Sequence, residues 1–175
     1  MFDNDSIGFQ RFYDVLPNKD HNECYQKLIN GSWNFSGWSN ADDPTRFWNM
    51  PLQHDDFFTS YFLNVICSTT GRKFYTERVY ANGQTHGQCG SLHTDHIEGR
   101  EDVSYTFLYY ANPEWYSVWG GGTAFWASRN QHKVEEYIPN SAVIFKGNTL
   151  HAGLEPTRHC YGLRITVAYK LIEIK

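Results

Sequence analysis

The chain is short of cysteine, of concentrated positive charge and of long apolar runs, and each shortage removes a class of function. Its four cysteines, Cys24, Cys67, Cys89 and Cys160, show no CxxC spacing, so a cysteine-ligated zinc module is not indicated. No stretch approaches the roughly 20 apolar residues that a bilayer-spanning helix needs. The opening segment MFDNDSIGFQRFYDVLP has no basic leader and no apolar centre and does not read as a secretory signal. Without secretion, the thiols are expected to be reduced, as in a cytoplasmic protein. Fifteen Lys and Arg against 19 Asp and Glu give a net charge of −4. No basic stripe is present, so nucleic acid is not an expected partner.

What is there is an ordinary globular composition with an excess of rings. At 175 residues the chain is most simply one domain, residues 1–175, large enough for a real core. The 6 Trp, 12 Tyr and 12 Phe predict aromatic-heavy packing and an aromatic-lined cleft. No internal repeat or linker interrupts it. Residues 1–72 read as a helical part. NKDHNECYQKLING carries polar capping candidates at Asn18 and Asp20, an apolar face of Cys24, Leu28 and Ile29, and a stop at Asn30-Gly31. QHDDFFTSYFLNVICSTTG places Phe57, Phe58, Tyr61, Phe62, Val65 and Ile66 at helical spacing. The Trp-rich stretch between them reads as irregular. From about residue 73 to 175 the period changes to strand and turn: KFYTERVYANG, SYTFLYYAN, GGTAFWAS, KVEEYIP, SAVIFKGN and YGLRITVAYKLIEIK. The expected class is mainly β, a sandwich or barrel with helices packed on one outer face.

Four histidines stand two residues before a carboxylate: His21/Glu23, His54/Asp56, His93/Asp95 and His96/Glu98. Roughly one such pair is expected by chance at ordinary residue usage, so the spacing alone decides nothing. Positions i and i+2 share a face on a strand but diverge on a helix. His21/Glu23 and His54/Asp56 fall in helical segments and read as solvated first-turn residues. His93/Asp95 lies at the entry to the β part, where both side chains project to one side, with His96 pointing away. A third donor is available in His151, just after an apolar strand, although a hydrogen-bonded turn histidine is the plainer reading of that residue. Two imidazoles and one carboxylate on one face of an octahedral ion leave three adjacent positions open, as in non-haem Fe(II) oxygenases.

The order HTD, YTFLYYAN, WGGGTAFW, PNSAVIFKGNTLHAG, GLRITVAY over roughly the last 100 residues resembles the 2-oxoglutarate and Fe(II)-dependent dioxygenases, particularly their prolyl-4-hydroxylase-like branch. One element departs from that pattern: the family's Pro-x-x-Gly-like turn reads Pro139-Asn140-Ser141 here. The resemblance implies a double-stranded β-helix (jelly roll) with N-terminal supporting helices. It implies His93, Asp95 and His151 as ligands of Fe(II), with 2-oxoglutarate and O2 as cosubstrates and ascorbate as a candidate accessory reductant.

Arg164 is the expected partner of the far carboxylate of 2-oxoglutarate. It shares one face of its strand with Thr166 and Ala168, while Leu163, Ile165, Val167 and Tyr169 share the other. A buried guanidinium needs an anionic partner, and its planar fork matches a carboxylate. Arg-Ile-Thr resembles the family's Arg-x-Ser, which makes Thr166 a second donor. Arg158 is the alternative anchor, and an internal salt bridge is the alternative role for Arg164. Tyr80, in ERVYANGQ, matches a position where the family's tyrosine touches the cosubstrate; a core role is equally open.

The implied reaction is oxidative decarboxylation of 2-oxoglutarate coupled to hydroxylation of a C–H bond, with Asp95 favouring hydroxylation over halogenation. A proline in a peptide or protein fits the resemblance best as substrate, ahead of a small molecule. Trp115, Tyr116 and Trp119 either flank the metal mouth or fold onto one another. The competing reading is a cupin-type metal-binding protein or isomerase that does not use 2-oxoglutarate, because one fold serves both groups.

Overall fold

The computed structural model describes residues 8–40, 42–128 and 130–174. The first seven residues, on which the question of a leader turns, lie outside that range. Ten strands and two helices follow in the order β1 (Phe9–Phe12), α1 (Asn18–Ile29), β2 (Asn34–Gly37), β3 (Phe47–Pro51), α2 (Phe62–Thr70), β4 (Phe74–Gln84), β5 (Ser104–Tyr110), β6 (Thr123–Ser128), β7 (Gln131–Glu135), β8 (Ser141–Lys146), β9 (Leu150–Gly153) and β10 (Arg164–Glu173). A π-helical turn, Phe57–Tyr61, leads into α2, and Gly71 ends that helix in the left-handed conformation that glycine adopts without strain. Helix α1 stops at Asn30 as its sequence predicts, but neither Asn18 nor Asp20 caps it; Pro17 precedes its first turn.

The strands form a seven-stranded sheet in the order β1-β8-β5-β10-β4-β3-β2 and a three-stranded sheet in the order β7-β6-β9. All of their pairings are antiparallel. This is the expected double-stranded β-helix. The first 72 residues are less helical than their sequence suggests: β1, β2 and β3 all lie there. The Trp-rich stretch supplies β2 and β3, which extend the large sheet beyond β4. The register supports that placement, with Trp48 opposite Gly83 and Asn49 opposite Asn82.

Two cores divide the interior. The larger lies on the outer face of the big sheet. There Tyr105, Phe107 and Tyr109 of β5 and Ile165, Val167, Tyr169 and Leu171 of β10 meet Cys24 and Leu28 of α1 and Phe62 and Ile66 of α2. Phe62 sits edge-on against Phe107, Tyr109 and Tyr169. The smaller core joins the two sheets through Leu108, Tyr110, Phe125, Val143, Phe145 and Ala168. Leu108 and Ala168 of this core also line a cleft between the sheets.

His21 is a correction to the reading of α1. It is buried rather than solvated, and its Nδ1 lies 2.6 Å from the Tyr109 hydroxyl. That hydroxyl donates to Asn140 Oδ1 at 2.9 Å. Asn140 also clasps the chain at Leu16, accepting from its N–H and donating to its carbonyl. Its φ of 55° explains how the turn before β8 works without the family's glycine. Asparagine tolerates the left-handed region better than most residues, and here its side chain bonds the segment leading into α1.

Phe62 faces the outer core and lies away from the cleft. Phe62→Ala should therefore lower unfolding free energy by about 3–5 kcal/mol in urea denaturation, with the ligand-binding stoichiometry of the folded fraction unchanged.

Candidate functional site

Strand β10 is buried along almost its whole length because both of its faces are covered. Its alternation sends Arg164, Thr166, Ala168 and Lys170 into the cleft between the sheets, and this includes the face predicted for Arg164 and Thr166. Flanking strands add Tyr80, Asn82 and Gln84 from β4 and Thr106 and Leu108 from β5. The cleft encloses about 420 Å³.

His93, Asp95 and His151 converge on this space, with one donor atom from each lying within 4.8 Å of the others. The backbone brings them together. His93 N–H donates to the His151 carbonyl and His151 N–H to the His93 carbonyl, both at 3.0 Å. Asp95 N–H donates to the Gly147 carbonyl at 2.7 Å. Residues 90–95 thus run as a further extended segment beside β9. Burial alternates along it, with His93 and Asp95 turned inward and Thr94 and His96 exposed, so His96 is a bystander to this cluster. The two pairs in the N-terminal part contribute nothing to it.

The donor set suits a cation. The Nδ1 of His93 lies 2.9 Å from the Ser91 carbonyl, and the Nδ1 of His151 lies 2.9 Å from the Thr149 carbonyl. A carbonyl only accepts, so each Nδ1 carries a proton and Nε2 is the nitrogen that each ring turns to the cluster. Burial lowers the pKa of His151 despite the opposing pull of Asp95, which favours the neutral ring. Both Nε2 atoms face Asp95: His93 Nε2 is 3.4 Å from Oδ1, and His151 Nε2 is 3.2 Å from Oδ2. Burial alone would raise the Asp95 pKa. The Lys170 ammonium and the two histidines overcome that effect and hold the carboxyl well below its usual range. Two imidazole nitrogens and a carboxylate converging on one point are a ligand set for a metal ion.

At the other end of the cleft, Arg164 is 1% exposed. Its Nε donates to the Gly121 carbonyl, its Nη1 to Gln84 Oε1 at 2.6 Å, and its Nη2 to the Gly122 carbonyl at 3.4 Å. All three acceptors are neutral, and among the described residues no carboxylate pairs with it. The expected alternative, an internal salt bridge, is therefore not what holds this arginine. Burial lowers its pKa. A buried guanidinium beside a cleft and without a counter-charge suits an anionic ligand.

The run Gly120-Gly121-Gly122 serves this arginine. Gly121 has φ 73°, and a Cβ there would come within 3.1 Å of Arg164 Cδ and of Trp115. A Cβ on Gly122 would strike the Glu135 carbonyl at 2.4 Å. Arg158, the alternative anchor, is exposed in a turn and does not line the cleft. Tyr80 lines the cleft at the opposite end from Arg164, with the Lys170 ammonium 5.7 Å from its ring centroid.

The loop with Trp115, Tyr116 and Trp119 folds onto itself and forms no part of the cleft wall. Trp115 donates to the Gly120 carbonyl at 2.8 Å and packs on Tyr137, and Trp119 meets Trp115 and Tyr116 edge-on. Trp38, Phe47 and Tyr80 supply the rings of the cleft instead. Sequence reasoning missed Gln84, Thr106 and Lys170. Counting two residues past Ala168 would have placed Lys170 on the same face as Arg164.

A jelly roll with a two-histidine, one-carboxylate cluster in its cleft, and an uncompensated arginine further along it, is the architecture of a mononuclear metal oxygenase. Residues 76–169, more than half of the chain, match the model of the 2OG-Fe(II) oxygenase superfamily, and the chain belongs to that family, whose cofactors are Fe(II) and 2-oxoglutarate. No curated protein matches the chain by sequence. Among solved structures, it resembles a Trichoplax adhaerens prolyl hydroxylase in complex with a peptide fragment of the hypoxia inducible factor oxygen degradation domain. The TM-score is 0.74 at 17% identity, covering 95% of this chain and 84% of that one. A Pseudomonas putida prolyl-4-hydroxylase gives a TM-score of 0.66 at 14% identity, covering 96% and 94%. The epimerase SnoN from nogalamycin biosynthesis, in complex with Fe3+, alpha ketoglutarate and nogalamycin RO, gives 0.68 at 9%, covering 95% and 79%. At these identities the likeness is one of fold. No helix among the described residues is long and apolar enough to cross a membrane.

Because its φ is positive and its Cβ would crowd Arg164, Gly121→Ala should cost about 1–3 kcal/mol, measurable as a lowered denaturation midpoint.

Proposed function

We propose that the protein is a 2-oxoglutarate-dependent hydroxylase in which His93, Asp95 and His151 hold Fe(II) and Arg164 receives the far carboxylate of 2-oxoglutarate. The observation that carries this reading is the pairing, in one cleft, of a two-histidine, one-carboxylate cluster with a buried arginine that has no counter-charge among the described residues. A cupin-type role would account for the cluster but leaves the buried guanidinium without a purpose.

When bound, the iron and its keto acid supply the oxidising chemistry, with release of succinate and CO2; the protein binds, orients and shields. The two Nδ1–H bonds to Ser91 and Thr149 carbonyls fix each imidazole's tautomer and orientation. Arg164, held between Gly121, Gly122 and Gln84, offers its charge at a fixed point along β10. Thr166, buried on the same face two residues away, is the proposed second donor to the cosubstrate. Tyr80 would bound the cosubstrate on the Lys170 side.

For the substrate, a prolyl residue in a peptide or protein is our reading, supported by the prolyl hydroxylases among the structural neighbours. The rim also favours an extended ligand. Trp38 stands 52% exposed at its edge beside Ser36 and Ser39, and Asn49 and Gln53 continue the same wall.

The deciding measurement is anaerobic. Fe(II) with 2-oxoglutarate added to the protein should give a weak visible charge-transfer band. His93→Ala and His151→Ala should abolish both the band and metal binding without unfolding the chain. Arg164→Ala should raise the apparent KM for 2-oxoglutarate by about tenfold or more, the loss of a charge-assisted bidentate contact. Fe(II) binding without a band in the wild type would return the protein to the cupin reading. Proline-containing peptides are then screened for succinate release and a gain of one oxygen atom.

A further inference from the structure

We propose that Lys170 is a positioning residue for the metal centre: together with Thr106 it occupies Oδ2 of Asp95, so that the carboxylate offers a metal ion Oδ1 alone. The inference rests on the reading of His93, Asp95 and His151 as the ligands.

The two oxygens of Asp95 have unequal surroundings. Oδ2 accepts from Thr106 Oγ1 at 2.8 Å and from Lys170 Nζ, and lies 3.2 Å from His151 Nε2. A carboxylate oxygen has about two lone-pair directions, and these two donors fill them. Oδ1 faces His93 Nε2 at 3.4 Å and accepts no hydrogen bond among the described residues. Lys170 is only 6% exposed, and Asp95 is its only carboxylate partner among them. Its Nζ also lies 3.4 Å from Thr106 Oγ1 and faces the Tyr80 ring. The ammonium is thus held in place by β5, β4 and its own strand.

Two consequences follow for a bound metal. A carboxylate binding through one oxygen leaves three of six positions open, enough for a two-atom keto-acid chelate and one further ligand; binding through both oxygens would close one of them. The ammonium also opposes a divalent cation and favours a dianion at the same centre. Lys170 therefore acts on metal and cosubstrate with opposite sign.

That opposition is the test, read by calorimetric titration of Mn(II) into metal-free protein and then of 2-oxoglutarate into the Mn(II) form. Lys170→Met removes the charge and one clamp donor while filling similar space. Its Mn(II) dissociation constant should fall by about threefold or more as the repulsion is relieved, while 2-oxoglutarate binds about tenfold more weakly. A merely structural lysine would weaken both together. Thr106→Val loosens the clamp without changing charge and should weaken 2-oxoglutarate binding by about threefold with Mn(II) affinity near wild type. Parallel losses in Lys170→Met, or no change in either constant, overturn the proposal. So does wild-type 2-oxoglutarate affinity in Thr106→Val, because the ammonium would then act by charge alone. Should Lys170→Met fail to fold, the Thr106→Val result decides by the same criterion. If the wild type takes up neither Mn(II) nor 2-oxoglutarate, the underlying reading falls with it; if the wild type binds both and the variants show no opposed shift, only the role of Lys170 falls.

Discussion

The architecture depends on burying β10 on both faces. A strand at the centre of a sheet has two sides. Here Ile165, Val167, Tyr169 and Leu171 take one side into the helix-covered core, which commits Arg164, Thr166, Ala168 and Lys170 to the interior of the barrel. A slip of one residue would exchange the two sets, placing two cations in the apolar core and four apolar side chains in the cleft. Both outcomes are costly, so the register is strongly specified. The candidate site residues inherit their positions from it.

Two cations in a barrel interior need compensation, and the chain solves the problem differently at each end of β10. Lys170 is matched by Asp95 and supported by Thr106. Arg164 is met only by carbonyl and amide oxygens, which satisfy its hydrogen-bonding geometry and leave its charge unanswered. The compensation also shapes the surrounding chain. The glycines at 121 and 122 let two carbonyls approach the guanidinium. Gln84 turns its amide oxygen to Arg164 while its amide nitrogen donates to the carbonyls of Gln88 and Gly153. Thus a protein of net charge −4 keeps positive charge where an anion would enter.

Much of this was legible in the sequence because period-2 alternation is a local signal. The strands from β4 to β8 and β10, the inward pair His93/Asp95, the outward His96 and the face carrying Arg164 all follow from it. What escaped depends on contacts distant in sequence. Strand β2 is mostly exposed at a sheet edge, and β3 has only five residues, too few for its alternation to announce it. Strand β9 has four residues and is defined by pairing with β6. His21 is buried because Tyr109, 88 residues away, reaches its ring. The Trp115–Trp119 loop turned inward because Tyr137 and the Gly120 carbonyl gave its rings partners, and no spacing rule encodes that.

The cluster also straddles the two sheets, which gives its geometry a mechanical meaning. His151 lies on β9 of the small sheet, and His93 is bridged to it by a reciprocal pair of backbone hydrogen bonds. Asp95 is bonded through its N–H to Gly147 at the end of β8, and its side chain accepts from Thr106 on β5 and Lys170 on β10, all of the large sheet. The smaller core touches both sheets through Phe125 and Phe145, whose rings also flank His151. The imidazoles are therefore set by one sheet and the carboxylate's orientation by the other. Their separation reports how the sheets are spaced. A cation bound among them would join the sheets beside the apolar contacts that Phe125 and Phe145 already make.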